Sequence, residues 1–208
     1  MPATAQARTT PVPQEQRVCL QDVAWEDYET LLTIRGERAG LRITFLEGEL
    51  ELLSPSVTHE GWKIRLRRLL EAWAEEGGVE LEGFGSWTVK SRAVARGVEP
   101  DECYLIGPLM GEPQVPDIAI EVLWTSGGID KLEVYRGLRV PEVWFWKDGA
   151  LRFFALEGDG YLACPRSRLL PGLDPALIAR CMGEASQTQA VRVLRSALRS
   201  PPEPDERP

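Results

Sequence analysis

One histidine, four scattered cysteines and no long apolar run are what this 208-residue chain has least of. His59, the lone histidine, stands near a helix start, where such a residue caps or bonds backbone and is at most a supporting polar group in a site. Cys19, Cys103, Cys164 and Cys181 show no C-x-x-C spacing, which speaks against zinc sites and disulfides and for reduced core thiols. No apolar stretch approaches the roughly 18 residues that span a bilayer, so no membrane partner is expected. The N-terminal residues lack the apolar stretch of a secretory signal, which makes a cytoplasmic location the default expectation. An excess of basic charge is missing too. The formal net charge of −8 argues against wholesale attraction to nucleic acid while leaving room for a local basic groove. Lys63, Arg65, Arg67 and Arg68 form one basic cluster and Lys90, Arg92 and Arg96 another, each by itself an ordinary solvated surface.

The hydrophobic share of 43% and the length are those of one globular domain with its own core. Residues 1–17, rich in Ala, Thr, Pro and Gln, predict a flexible arm, and residues 200–208, with four prolines in nine positions, a disordered tail. Between them, residues 18–199 read as a single domain. Tyr28, Leu31 and Leu32 have helical spacing; residues 41–45 and 50–53 flank a hairpin turn. Thr58 is placed to cap a helix over 59–76, whose apolar stripe is Trp62, Leu66, Leu69, Leu70 and Trp73, and Gly77-Gly78 stops it. Strands follow near 79–81 and 87–90, then two acidic segments and a short helix over 129–137. An apolar strand over 141–146 turns back into 151–154, and helices begin at Asp174-Pro175 and over 184–199. This order, without internal repeats, predicts a mixed α/β or α+β fold.

The two acidic segments are the informative ones. Glu99-Pro100-Asp101-Glu102-Cys103-Tyr104 and Pro116-Asp117-Ile118-Ala119-Ile120-Glu121-Val122 both have strand-like content, yet carry acids where a buried strand has none. In the second, alternation puts Ile118, Ile120 and Val122 on one face and Asp117, Ala119 and Glu121 on the other. A lone carboxylate buried in a sheet costs several kcal/mol, on the order of the polar-group transfer penalty, or takes up a proton. Two of them converging at neighbouring strand ends make sense around a cation.

Several blocks in a fixed order carry a resemblance. They are the run from Leu46 through Glu49 to Ser56 with His59-Glu60 after it; Gly85-Ser86-Trp87-Thr88-Val89-Lys90; the two acidic segments; Asp130-Lys131-Leu132 with Tyr135; and Val140-Pro141-Glu142-Val143-Trp144. Together these are similar to the Uma-type restriction endonuclease family of the PD-(D/E)XK nuclease superfamily. The resemblance implies a restriction-endonuclease-like central mixed sheet flanked by helices, with an N-terminal β-hairpin supplement. It puts Asp101 on the family's Pro-Asp position and Glu121 on the first acid of its (D/E)-x-K element. Leu123 stands where the superfamily has lysine. The matching substitute is Lys131 on the following helix, with Lys90 the second choice.

The activity so implied is Mg²⁺-dependent hydrolysis of DNA phosphodiester bonds, with Mn²⁺ as an alternative ion. Asp101, Glu121 and the backbone carbonyl of Val122 would hold the metal, and Lys131 would orient the attacking water or stabilise developing charge. Glu49 on the hairpin and His59 are supporting candidates. Taken singly, each residue has a plainer role: Asp101 as a strand-entry group, Glu121 as half of a buried ion pair with an arginine, Lys131 and Glu49 as surface charges. The competing function is a catalytically inactive nuclease-fold module for binding or assembly, which Leu123 and the acidic charge favour. Trp144, Phe145 and Trp146 read as core and as apolar surface for a homodimer, an arrangement that also suits cleavage of two strands.

Overall fold

The computed structural model describes residues 15–36, 38, 40–122 and 128–199. The expected tail over 200–208, most of the expected arm, and Leu123 lie outside these residues. Two sheets organise the chain. The first is wholly antiparallel, in the order β1 (Gln16–Leu20), β3 (Glu49–Ser54), β2 (Arg42–Leu46), β6 (Arg96–Val98) and β5 (Val89–Ser91). The second is mixed, in the order β11 (Gly160–Cys164), β10 (Ala150–Glu157), β9 (Glu142–Lys147), β8 (Ile118–Val122), β7 (Glu102–Ile106) and β4 (Leu81–Gly83). Only β8 and β9 run parallel, and the crossover that such a pair requires contains α3 (Lys131–Leu138).

Alternation along the central strands separates two cores. Ile118, Ile120, Val122, Trp144 and Trp146 face α2 (Val57–Gly77), α4 (Pro175–Met182) and α5 (Gln187–Arg199). Ala119, Val143 and Phe145 face the other way, onto Val134, Tyr135 and Leu138 of α3. The fold is therefore α+β: a mixed central sheet with helices on both faces, and the expected hairpin enlarged into a second sheet. A third cluster, Tyr28, Ile43, Phe45 and Leu50, joins α1 (Trp25–Arg35) to one face of the antiparallel sheet, with the Tyr28 and Phe45 rings stacked 5.1 Å apart. That sheet's opposite face carries Arg42, Thr44 and Glu51, all buried, and is turned toward the acidic strands.

Local signals explain the element ends, with some corrections. The β2–β3 turn uses Glu47 and Gly48, both at positive φ (49° and 96°), as a two-residue hairpin turn requires. Ser56, not Thr58, caps α2, its hydroxyl accepting from the His59 amide at 3.1 Å. Asp174 caps α4 with Pro175 following, and Gly78 ends α2 in the left-handed region at φ 63°. Strand β1 begins at Gln16, inside the stretch expected to be an arm, because it pairs along β3. Trp144, Phe145 and Trp146 are all under 10% exposed, so this run supplies two cores and no dimer surface. The four cysteines are free thiols, Cys103 and Cys181 buried. Among the described residues no helix is long and apolar enough to cross a membrane.

Candidate active site

Asp101 occupies the bend between β6 and β7, and Glu121 lies one residue from the end of β8. Register brings them together. Glu102 pairs with Ile120, Cys103 with Ala119, and the Asp101 amide donates to the Ile120 carbonyl at 3.1 Å, so Asp101 stands beside Glu121 on the face turned to α3. The Val122 amide donates to Asp101 Oδ2 at 2.8 Å, which fixes that carboxylate against the end of β8. Both acids are buried, Asp101 at 3% and Glu121 at 5% exposure.

Polar neighbours of the pair come from α2, β2 and α3. His59, in the first turn of α2 and 1% exposed, places Nε2 2.9 Å from Asp101 Oδ1, close but poorly aligned for a hydrogen bond. Its Nδ1 lies 3.1 Å from Glu15 Oε2, so the ring is held between two carboxylates. Arg42 Nε of β2 is 3.7 Å from Asp101 Oδ1, and its other end reaches Glu60 at 3.6 Å. Around Glu121, the Tyr135 hydroxyl donates to Oε1 at 2.5 Å and Lys131 Nζ stands 3.6 Å from the same oxygen. Lys131 donates to Thr44 Oγ1 of β2 at 2.7 Å, an anchor that aims its ammonium inward from α3.

The two acids are unequal. Burial works against the Asp101 charge, but His59, the Val122 amide and Arg42 outweigh it and hold its pKa below the usual carboxylate value. For Glu121, burial dominates and the Asp101 charge adds to it; Lys131 and the Tyr135 hydroxyl offset this incompletely, and the pKa is raised. Burial likewise opposes a charge on His59, yet Asp101 and Glu15 raise its pKa overall. The site thus carries one firm negative charge and one that a further cation would stabilise.

Asp101, Glu121, Lys131 and His59 are therefore brought together, while two supporting candidates are not. Glu49 is solvent-exposed at the start of β3. The hairpin acid that reaches the interior is Glu51, two residues on and on the same face; its Oε2 accepts from the Ile129 amide at 3.2 Å and meets Arg17 Nε of β1 at 3.3 Å. Gly128, at φ 93°, leaves room for it: a Cβ there would stand 1.9 Å from Glu51 Oε2. Lys90 points outward from β5 and pairs with Glu29 of α1 at 2.8 Å, because β5 belongs to the first sheet and not to the strands that carry the acids. Sequence reasoning also missed Arg42, Thr44 and Glu15. Alternation along β2 does group Arg42 with Thr44, but nothing local says that this face is covered. The partner of Glu121 is a lysine and a tyrosine, where an arginine had been an alternative. Within the first basic cluster, Arg65 donates to the Met182 and Glu184 carbonyls and Arg67 pairs with Glu71, structural and surface roles.

A carboxylate pair with a lysine and an arginine against it is thus buried on the α3 side of a mixed sheet, where apolar groups would fill the space at lower cost. Residues 25–180 match the Uma2 family, described as "Putative restriction endonuclease", and the chain belongs to that family. The matched stretch includes Asp101, Glu121 and Lys131 and leaves out β1 and α5. No curated protein matches the chain. Among solved structures, a crystal structure described as a "putative nuclease" from Anabaena variabilis is similar at 13% identity and a TM-score of 0.42, over 73% of this chain and 90% of that one.

Proposed function

We propose that the protein is a Mg²⁺-dependent endonuclease acting on DNA, with Mn²⁺ able to replace Mg²⁺. The observation that carries this reading is the side-by-side placement of Asp101 and Glu121 with Lys131 Nζ 3.6 Å from the glutamate. The donor set fits a hard divalent cation. Two carboxylates and the Val122 carbonyl, on the same strand edge as the Val122 amide that meets Asp101, are oxygen ligands. Among the described residues no three His, Cys, Asp or Glu side chains converge to hold a metal by themselves, so water and phosphate oxygens would have to complete its shell.

Bound there, the ion would supply charge neutralisation at the phosphate and a more acidic water. The chain's own groups do the rest. Asp101, fixed by the Val122 amide and by His59, keeps its negative charge and its orientation. Tyr135 pins Glu121 Oε1. Lys131, tethered by Thr44, offers an ammonium that orients a water and stabilises charge growing on the phosphoryl oxygens. Purified protein is expected to nick plasmid DNA with Mg²⁺ or Mn²⁺ and to stop on chelation, while Asp101→Ala and Glu121→Ala are inactive. Equal nicking by wild type and both variants would mean a contaminating nuclease and overturn the proposal.

The near-complete burial of both acids favours a second reading, a nuclease-fold module that binds or assembles without cutting. Calorimetry separates the two: uptake of Mn²⁺ by wild type and not by Asp101→Ala supports the endonuclease, and no uptake at millimolar metal supports the module.

A further inference from the structure

A polar cavity of about 430 Å³ opens beside the acids, between the end of α1, the start of β2 and the loop before β5. Its walls include three arginines, Arg35, Arg38 and Arg42, with Trp87 and Ser86 across from them. Among the described residues the one carboxylate in the wall, Glu99, is consumed: Arg35 meets it at 2.5 Å, the Thr88 hydroxyl donates to it at 2.8 Å and the Ile43 amide at 3.1 Å. Arg38 therefore adds to the positive charge of the cavity, while Arg42 is shared with Asp101 at 3.7 Å and Glu60 at 3.6 Å. Arg38 is exposed, and among the described residues its bonds go to the Arg35 and Ile34 carbonyls, contacts that do not compensate its positive charge. Arg42 is 6% exposed, its buried Nε makes no hydrogen bond among the described residues, and it stands 3.7 Å from Asp101. A buried guanidinium with an unmade hydrogen bond is costly to keep, and an arriving oxyanion would satisfy it. Trp87, half-buried and backed by Phe84 with ring centroids 5.7 Å apart, gives the opposite wall a braced aromatic face.

We infer that this cavity is a nucleotide subsite: Arg38 and Arg42 take a phosphodiester of the substrate strand and Trp87 stacks on its base, so that the strand enters the site past Arg42. The inference rests on the DNA-hydrolysing reading and adds to it how the strand is held. It requires the bound nucleotide to be unpaired or splayed from a duplex, because base stacking on a side chain needs an open face.

The test measures binding apart from cleavage. Fluorescence anisotropy of a labelled single-stranded oligonucleotide, without divalent metal and across a salt series, is recorded for full-length wild type, Arg38→Gln and Trp87→Leu. Arg38→Gln is expected to weaken binding several-fold and to lower the slope of log affinity against log salt by about 0.7, one phosphate contact on a single strand. Trp87→Leu is expected to weaken binding about tenfold with the slope unchanged, and to have a much smaller effect on an oligonucleotide of abasic sites. Circular dichroism melts show that both variants are folded. Wild-type affinity in both variants overturns the subsite, as does a Trp87→Leu loss that is equal on normal and abasic strands. Either result leaves the endonuclease reading to its own cleavage assay, which depends on Asp101 and Glu121.

Discussion

His59 Nε2 lies 2.9 Å from Asp101 Oδ1 while His59 Nδ1 lies 3.1 Å from Glu15 Oε2, so one buried imidazole stands between two buried carboxylates. Ser56 fixes the backbone of that histidine by accepting its amide. Glu15 stands next to β1, outside the stretch that matches the family. The start of α2 thus links the residue before β1 to the aspartate. Removal of the ring in His59→Ala leaves both acids without the polar group they share. The expected loss of stability is about 3 kcal/mol, the cost of breaking a buried ion pair from one side, read as the urea midpoint followed by circular dichroism.

Lys131 and Lys90 separate cleanly by substitution. Lys131→Met removes the ammonium beside Glu121 and is expected to lower the rate of plasmid nicking about 100-fold with little change in KM. Lys90→Met removes an exposed pair with Glu29, worth under about 1 kcal/mol, and is expected to leave nicking unchanged. Equal losses in both variants would count against the role given to Lys131.

Gly128→Ala forces a Cβ to within 1.9 Å of Glu51 Oε2 at a backbone φ of 93°. Both the clash and the conformation resist a side chain. Displacing Glu51 frees the Ile129 amide, two residues before Lys131. The variant is expected to be less stable by about 2 kcal/mol and to nick plasmid more slowly. Unchanged melting would show that the segment before α3 yields without penalty.

Glu142 is a buried acid outside the candidate site. It is 1% exposed and accepts from Trp144 Nε1, the Ser167 hydroxyl and the Arg168 amide at 2.6 Å each, and from the Leu169 amide at 3.3 Å. Glu142→Ala strands these donors and is expected to cost about 3 kcal/mol or more in chemical denaturation. Glu142→Gln, which keeps an acceptor, should lose less.

Glu102 gives a pH signature. Burial lifts its pKa from 4.5 to about 6 against the pull of Lys63 and Arg67, and its Oε2 makes no hydrogen bond. The folded chain therefore holds more protons than the unfolded one between pH 4.5 and about 6, and this acid's contribution to stability falls as pH rises through that window. Glu102→Gln removes the charge. Its melting temperature should exceed wild type above pH 6 by the equivalent of about 1 kcal/mol, after solvent screening, and the gap should close below pH 4.5. A constant gap across the range would assign the effect to packing.

Much of the fold was legible because its signals are local. The hairpin at Glu47-Gly48, the apolar stripe of α2 and the proline after the Asp174 cap each act within a few residues of chain. Strand β11 and strand β1 were missed: β11 forms by pairing with β10, and β1 draws its order from register along β3, neither of which is written in its own composition. The supporting residues divide the same way. Glu49 and Glu51 share one face by alternation, yet only the inner one is covered, and coverage depends on where α3 lies.

The sequence by itself determined that Asp101 and Glu121 belong to strand ends and that Glu121 opposes Ile120 and Val122 in direction, because a pleated backbone alternates regardless of context. It also placed a lysine on the next helix, expected over 129–137, which in the structure begins at that lysine. Only the tertiary structure decided that Lys131 and not Lys90 meets the acids, that His59 bridges Asp101 to Glu15, and that Arg42 and Thr44 close over them from a second sheet. These contacts join residues from 15 to 131, and no short-range rule of spacing governs groups so far apart in the chain; they follow from how two sheets pack.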